Sequence, residues 1–187
     1  LPIVADERGI ASANWGVHEL CTAFQPVFSL SGGRLQTIGH EALLRCYRNG
    51  RPVPLARFVA GIEPAARFAV EHIAHCLHIT NAARCLPAPG IVFVNFDPSL
   101  LEAASAPERA LSALAALARN LGVDTSRIVC EITEQESSGD AALDRFASHA
   151  RSEGMRIAVD DFGADSSDMR RVSQLRPDIV KFDQRWL

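Results

Sequence analysis

The second half of the chain alternates short, almost wholly apolar runs with amphipathic helical patterns, and few folds accept that alternation. The runs are GIVFVNF (90–96), RIVCEIT (127–133), RIAVDD (156–161) and DIVKFD (178–183). Each is short for a helix and lacks the strict alternation of a strand with one wet face. That is the pattern of a parallel strand covered on both sides. Helices fill the gaps. In SAPERALSALAALARNLG, Ser105 and Glu108 have capping-box spacing and Pro107 sits in the first turn. Leu111, Leu114, Leu117 and Leu121 line one face, and Gly122 stops the helix. GDAALDRFASHARSEG repeats the scheme, with Asp140 as cap and Gly154 as stop. Right-handed crossovers between such strands give an α/β fold whose parallel sheet is open or closed into a barrel.

The first half reads differently. AFQPVFSL (23–30) and TIGHEALLR (37–45) are joined across SGGR, which predicts a hairpin. A long helical pattern over 64–86 carries Phe68, Ile73 and Leu77 among its apolar positions. Residues 1–17 show little periodicity and read as a leading segment or linker, with residues 18–187 as one domain. At 187 residues and 48% hydrophobic, the chain is long and apolar enough to bury a core. A net charge of −3 gives no basic footprint for DNA or RNA. No stretch approaches the roughly 18 uncharged apolar residues of a membrane span, and LPIVADERGIASANW lacks the layout of a secretion signal. No membrane contact and a cytoplasmic location are therefore expected. The five cysteines are odd in number and contain no Cys-x-x-Cys pair, which points to reduced, mostly buried thiols.

Chemistry-bearing residues recur where the apolar runs end. The run at 90–96 delivers Asn95, the next Glu131 and, beyond it, Glu134. The third delivers Asp160 and Asp161, the fourth Lys181 and Asp183, while HEALLR places Glu41 and Arg45 similarly. In a barrel the C-terminal strand ends share one mouth. So many oxygen donors suit a hard divalent cation, Mg²⁺ or Mn²⁺. Adjacent Asp160 and Asp161 could serve two ions, the usual clamp for displacement at phosphorus. A nearby lysine would hold the attacking water or neutralise developing charge. By contrast, His72, His75 and His78 read as helix-face residues, some packed on the sheet. His40 points away from Glu41 on a strand, and Arg48 and Arg51 read as solvated residues of a turn.

Taken together, these residues resemble the EAL-domain cyclic di-GMP phosphodiesterases. FQPVFSL resembles the family's opening strand, and HEALLR contains the signature Glu41-Ala42-Leu43. VNFDPSLL looks like its V-N-x-x-P segment, CEITE its E-x-T-E element, VDDFG its D-D-F-G element and VKFD its K-x-D element. The resemblance spans roughly residues 23–187. It implies a TIM-like (β/α) barrel of EAL type with one antiparallel early strand, two Mg²⁺ or Mn²⁺ ions, and hydrolysis of cyclic di-GMP to linear pGpG in bacterial second-messenger signalling. Carried over by position, Glu41, Asn95, Glu131 and Asp160 would be metal ligands and Asp161 would bind the second ion. Lys181, Glu41 and Asp160 would be the catalytic residues, with Lys181 orienting the water. Gln25, Leu43, Arg45 and Asp183 would serve the nucleotide, and Glu134 would brace the loop after Asp161. The family tends to dimerise, so a homodimer and a regulatory sensory domain join cyclic di-GMP among the expected partners.

Two departures shape the expectation. The family's last strands, with a further glutamate ligand and a glutamine near the water, fall beyond Leu187, so the barrel is incomplete over these residues and little turnover is expected from them alone. After D-D-F-G the chain reads ADSSDM, with Asp165 at the usual glycine position and Asp168 adding negative charge. The alternative is therefore a catalytically inactive EAL domain acting as a cyclic di-GMP receptor or protein-interaction module. A third reading is an unrelated Mg²⁺ barrel enzyme with Lys181 as an enolase-like base.

Overall fold

Two short strands, β1 (Ile3–Ala5) and β2 (Ala11–Trp15), pair antiparallel and lead into a long hairpin of β3 (His18–Ser31) and β4 (Arg34–Arg48). The computed structural model describes residues 3–103, 107–133, 140–163 and 168–182. Glu134, Asp165, Asp183 and the Ser105 cap lie outside the described residues. The segment read as a leading stretch thus carries two strands. Its inward residues, Ala11 and Ala13, are small enough to bury without leaving an apolar signal in the sequence. Asn81 reaches across to bind the Ala11 N–H and carbonyl at 2.8 and 2.9 Å.

After β4 come β5 (Arg51–Val53), paired back onto it, α1 (Leu55–Ala60) and α2 (Pro64–Cys85). Then follow β6 (Ile91–Phe96), α3 (Ser99–Ala103), α4 (Pro107–Asn120), a 3-10 turn at Thr125–Arg127 and β7 (Ile128–Ile132). α5 (Asp140–Ser152), β8 (Arg156–Phe162), α6 (Asp168–Leu175) and β9 (Ile179–Phe182) complete the described elements. The sheet runs β1-β2-β3-β4-β6-β7-β8-β9. β4 is antiparallel to β3 but parallel to β6, and every later pairing is parallel. This is the expected α/β architecture, but its antiparallel pairings extend over β1 to β5 rather than a single early strand. The helix stops also hold. Gly122 (φ 74°) and Gly154 (φ 87°) take the left-handed conformation, and each is followed by a residue whose N–H bonds back five positions, Val123 to Ala118 and Met155 to Ala150.

Strand alternation sorts the side chains into two layers. Val92, Val94, Ile128, Cys130, Ile132, Ile157 and Val159 face the helices and form the main core with α2, α4 and α5. A second cluster joins Leu20 and Cys46 of the hairpin to Phe58, Ile73 and Leu77 of α1 and α2. The opposite sheet face carries its own small apolar floor of Phe93, Val129 and Ala158, with Val27, Ile91 and Ile179 packed against it. That floor is interior, as in a barrel, and the residues two positions farther along its strands are polar.

Candidate active site at the strand ends

One step beyond the floor, the register brings the polar residues together. Glu41 stands opposite Phe93, Asn95 opposite Glu131, and Glu131 opposite Ala158, which is opposite Ile179. Asp160 and Lys181 lie two residues past that last pair, on the same face. The contacts follow. Asn95 Nδ2 donates to Glu41 Oε1 at 2.9 Å, and Lys181 Nζ donates to Glu41 Oε2 at 3.1 Å. The Lys181 ammonium also binds Glu131 Oε1 directly and lies 3.2 Å from Asp160 Oδ1. It sits 5.9 Å from the centre of the Phe93 ring, so the apolar floor closes the cluster from below. Residues from five strands, remote in sequence, thus meet at one point.

Asp161 follows at a break in the ladder. Val159 pairs with Val180 but Phe162 with Phe182, so β8 spends three steps where β9 spends two. Asp161 sits inside that bulge with φ 49°, which releases the two aspartates from the strict up-and-down alternation of a regular strand. A bulge beside a functional site re-aims side chains in this way.

The electrostatics are lopsided. Glu131 is fully buried, and burial pushes its carboxyl up to about 8 despite the opposing pull of Lys181. Burial works against the charged form of Lys181 as well, but Glu131, Asp160 and Glu41 outweigh it and hold the lysine above its usual value. Lys181 is thereby kept as an ammonium, a donor and counter-charge rather than a proton acceptor, which disfavours an enolase-like base. Glu131 Oε2 is buried and has no hydrogen-bond partner among the described residues. Such an orphan costs on the order of 1–3 kcal/mol unless something binds it. Carboxylates from Glu41, Glu131 and Asp160 with the Asn95 amide form an all-oxygen donor set of the kind hard divalent cations take. Among the described residues no three His, Cys, Asp or Glu side chains stand as a ready-made cation cage. The carboxylates close on Lys181 instead. The chemistry of the donor set and the orphaned oxygen fit a divalent cation.

The nucleotide-facing expectations fare unevenly. Gln25 pairs with Glu41 across the hairpin and is exposed. Leu43 and Arg45 share the Glu41 face of β4 and, with Asn95, line a cleft of about 390 Å³ beside the cluster. Arg45 is exposed, and its Nη1 donates to the Leu44 carbonyl at 3.0 Å. His75 was read as a helix-face residue. Its Nε2 bonds the Asn95 carbonyl at 2.8 Å, and its ring packs 4.0 Å from that of Phe96. Glu71, one turn earlier on α2, escaped notice in the sequence. Its Oε1 accepts the Asp97 N–H at 2.7 Å. Burial takes Glu71 up to about 8 and His75 down to about 3, so the two meet uncharged at neutral pH. Together they brace the end of β6 on either side of Phe96. Only their four-residue spacing, which stacks them on one helix face, could have signalled this.

Comparison with known proteins accords with that geometry. The chain is 32% identical over 170 residues to the cyclic di-GMP phosphodiesterase PA2567 of Pseudomonas aeruginosa, a match covering 86% of this chain and 27% of that protein. It is 29% identical over 174 residues to the EAL-domain containing protein YkuI of Bacillus subtilis, covering 89% of this chain and 40% of YkuI. The crystal structure of YkuI with cyclic di-GMP and calcium superposes with a TM-score of 0.73 at 25% identity, over 89% of this chain and 42% of that one. A standalone EAL protein of Vibrio cholerae in its cyclic di-GMP-bound form gives 0.73 at 23% identity, over 89% and 67%, and shares the fold. The chain thus spans well under half the length of the two curated relatives. With the EAL domain model matching residues 12–187, and Glu41-Ala42-Leu43 midway along the strand that brings the first carboxylate to the cluster, this chain belongs to the EAL domain family.

Proposed function

We propose that the strand-end cluster is the centre of a metal-dependent phosphodiesterase that hydrolyses cyclic di-GMP to linear pGpG. The observation that carries this is the convergence of Glu41, Asn95, Glu131 and Asp160 on one point, with a Glu131 oxygen buried and unpartnered among the described residues. Glu41, Asn95, Glu131 and Asp160 would hold Mg²⁺ or Mn²⁺, and Asp161 in the β8 bulge would serve a second ion. When bound, such ions polarise the phosphodiester and lower the pKa of water. The chain's own residues do the rest. Lys181, held as an ammonium, donates to the water and offsets negative charge as it develops at phosphorus. Arg45 is exposed and, among the described residues, donates to the Leu44 carbonyl, so its guanidinium can turn to a phosphate oxygen in the adjoining cleft, where Leu43 offers an apolar wall; Gln25, opposite Glu41 on β3, would meet the nucleotide from the hairpin. His75 and Glu71 fix the β6 end and so hold Asn95 in place. Asp183 and Glu134 keep their roles as nucleotide-side and loop-bracing residues within this proposal.

The test is pGpG formation from cyclic di-GMP by the longest natural form of the protein with Mn²⁺ or Mg²⁺. Turnover that Glu41→Ala lowers by about 100-fold or more supports the enzyme. Turnover equal to that of Glu41→Ala overturns it. A second reading rests on the sequence: Asp165 stands at the family's usual glycine after D-D-F-G. In that reading the domain binds cyclic di-GMP and signals without cleaving it. Calorimetry that detects cyclic di-GMP binding, with no pGpG formed, selects the receptor.

A further inference from the structure

The opposite face of the hairpin carries a second concentration of charge that the cluster does not use. Arg48 and Arg51 stand directly opposite each other where β4 pairs with β5. Like charges so placed repel. Arg57 of α1 lines the same cleft, and no acidic residue does. None of the three has an ion pair or side-chain hydrogen bond among the described residues. Three arginines lining one cleft, with no counter-charge among the described residues, are unusual in a chain whose net charge is −3. The cleft measures about 670 Å³, within the roughly 300–1,000 Å³ of small-molecule sites. Its walls include aromatic faces. Trp15 and His18 are cross-strand partners of β2 and β3, and His18 meets Phe58 edge-on with ring centres 5.1 Å apart.

Strand parity separates this cleft from the cluster. Arg48 shares the side of Cys46, which is buried in the helix-side core, whereas Glu41, Leu43 and Arg45 point to the other side. We propose that the cleft is a second binding site, for a mononucleotide. The arginine forks would take the phosphate and the Trp15 and His18 rings would take the base. Guanidinium pairs bind phosphate in a bidentate manner, and a base stacks on an aromatic ring whatever its identity. A bare anion would leave the aromatic wall unused, and an acidic peptide would bring carboxylates but no flat ring. The inference does not rest on cyclic di-GMP hydrolysis.

The experiment is calorimetric titration of the 187-residue chain with AMP in EDTA, beside adenosine, inorganic phosphate and a hexaglutamate peptide. The site is expected to bind AMP at least tenfold more tightly than any of the other three. Arg48→Gln with Arg51→Gln, two exposed hairpin positions, should weaken AMP at least tenfold, and so should Trp15→Leu. Binding by a Trp186→Phe chain should also change the Trp15 fluorescence. No heat from AMP at millimolar concentration overturns the proposal. So does AMP binding that the double arginine variant leaves intact, or phosphate or hexaglutamate binding as tightly as AMP.

Discussion

At the scale of single residues, Lys181 organises the site. It is bound to Glu41 and Glu131 and lies against Asp160, and it keeps 27% of its side-chain surface exposed. Removing one partner of a fully buried pair costs about 3–5 kcal/mol because a buried charge is left alone. Lys181 is partly wet, so Lys181→Met is expected to cost less, roughly 1–3 kcal/mol, measured by urea unfolding in EDTA. The Glu41 and Asp160 carboxylates and the Glu131 carboxyl that it abandons then become open to another cation. Mn²⁺ should therefore raise the melting temperature of Lys181→Met by more than it raises that of the parent chain. An equal rise would mean that the lysine and the metal do not share these oxygens. Lys181 is legible in the sequence because it closes the short apolar run Ile179-Val180, one of several runs that end on chemistry-bearing residues.

At the scale of elements, the site depends on how closely β4 lies beside β6. Gly39 is the residue that permits it. A Cβ there would come within 2.6 Å of the Ile91 carbonyl oxygen and 2.7 Å of the Ile91 Cβ, and Gly39 faces Ile91 in register two residues before Glu41. Gly39→Ala must push the strands apart, at a cost of about 1–3 kcal/mol typical of overpacking, and it carries Glu41 away from Asn95. Unfolding midpoints should fall by that amount, and Mn²⁺ affinity should fall with them. Unchanged stability would show that the pairing is looser than described. The element scale is also where the sequence was most and least informative. The later strands are legible because runs such as IVFVNF are short, apolar and separated by helical patterns, α4 because leucine periodicity and a glycine stop agree, and α5 because Asp140 and Gly154 bound it. β1 and β2 were not, since Ala11 and Ala13 bury little apolar area and Asn81, 70 residues away, ties Ala11 through its N–H and carbonyl. The brace of Glu71 and His75 on β6 was hidden for the same reason: it is tertiary, and nothing local marks it.

At the scale of the whole molecule, burial has placed two acids and two bases in uncharged forms, and their effects on stability oppose each other. Glu71 and Glu131 are pushed from an ordinary 4.5 up to about 8, and His75 and His78 from 6.5 down to about 3. His78 is held by Thr22 at 2.8 Å, so both histidines are built into the α2 contact with the sheet. As pH falls from 8, each glutamate takes up a proton in the folded state before the unfolded chain does. Each then adds up to about 1.4 kcal/mol per pH unit until pH 4.5. As pH falls below 6.5, each histidine takes a proton only in the unfolded chain and subtracts at about the same rate until pH 3. The metal-free chain should therefore gain stability from pH 8 to 6.5, stay level from 6.5 to 4.5, and lose it below 4.5. A divalent cation changes one limb of this curve. It requires the Glu131 carboxylate, so at saturating Mn²⁺ the gain from pH 8 to 6.5 should shrink to the Glu71 share. Melting temperatures across pH 3–9, in EDTA and in Mn²⁺, read both limbs. A metal-free maximum at pH 8 would show that the glutamates are ionised in the fold. A rising limb untouched by Mn²⁺ would show that Glu131 is not among the metal's ligands.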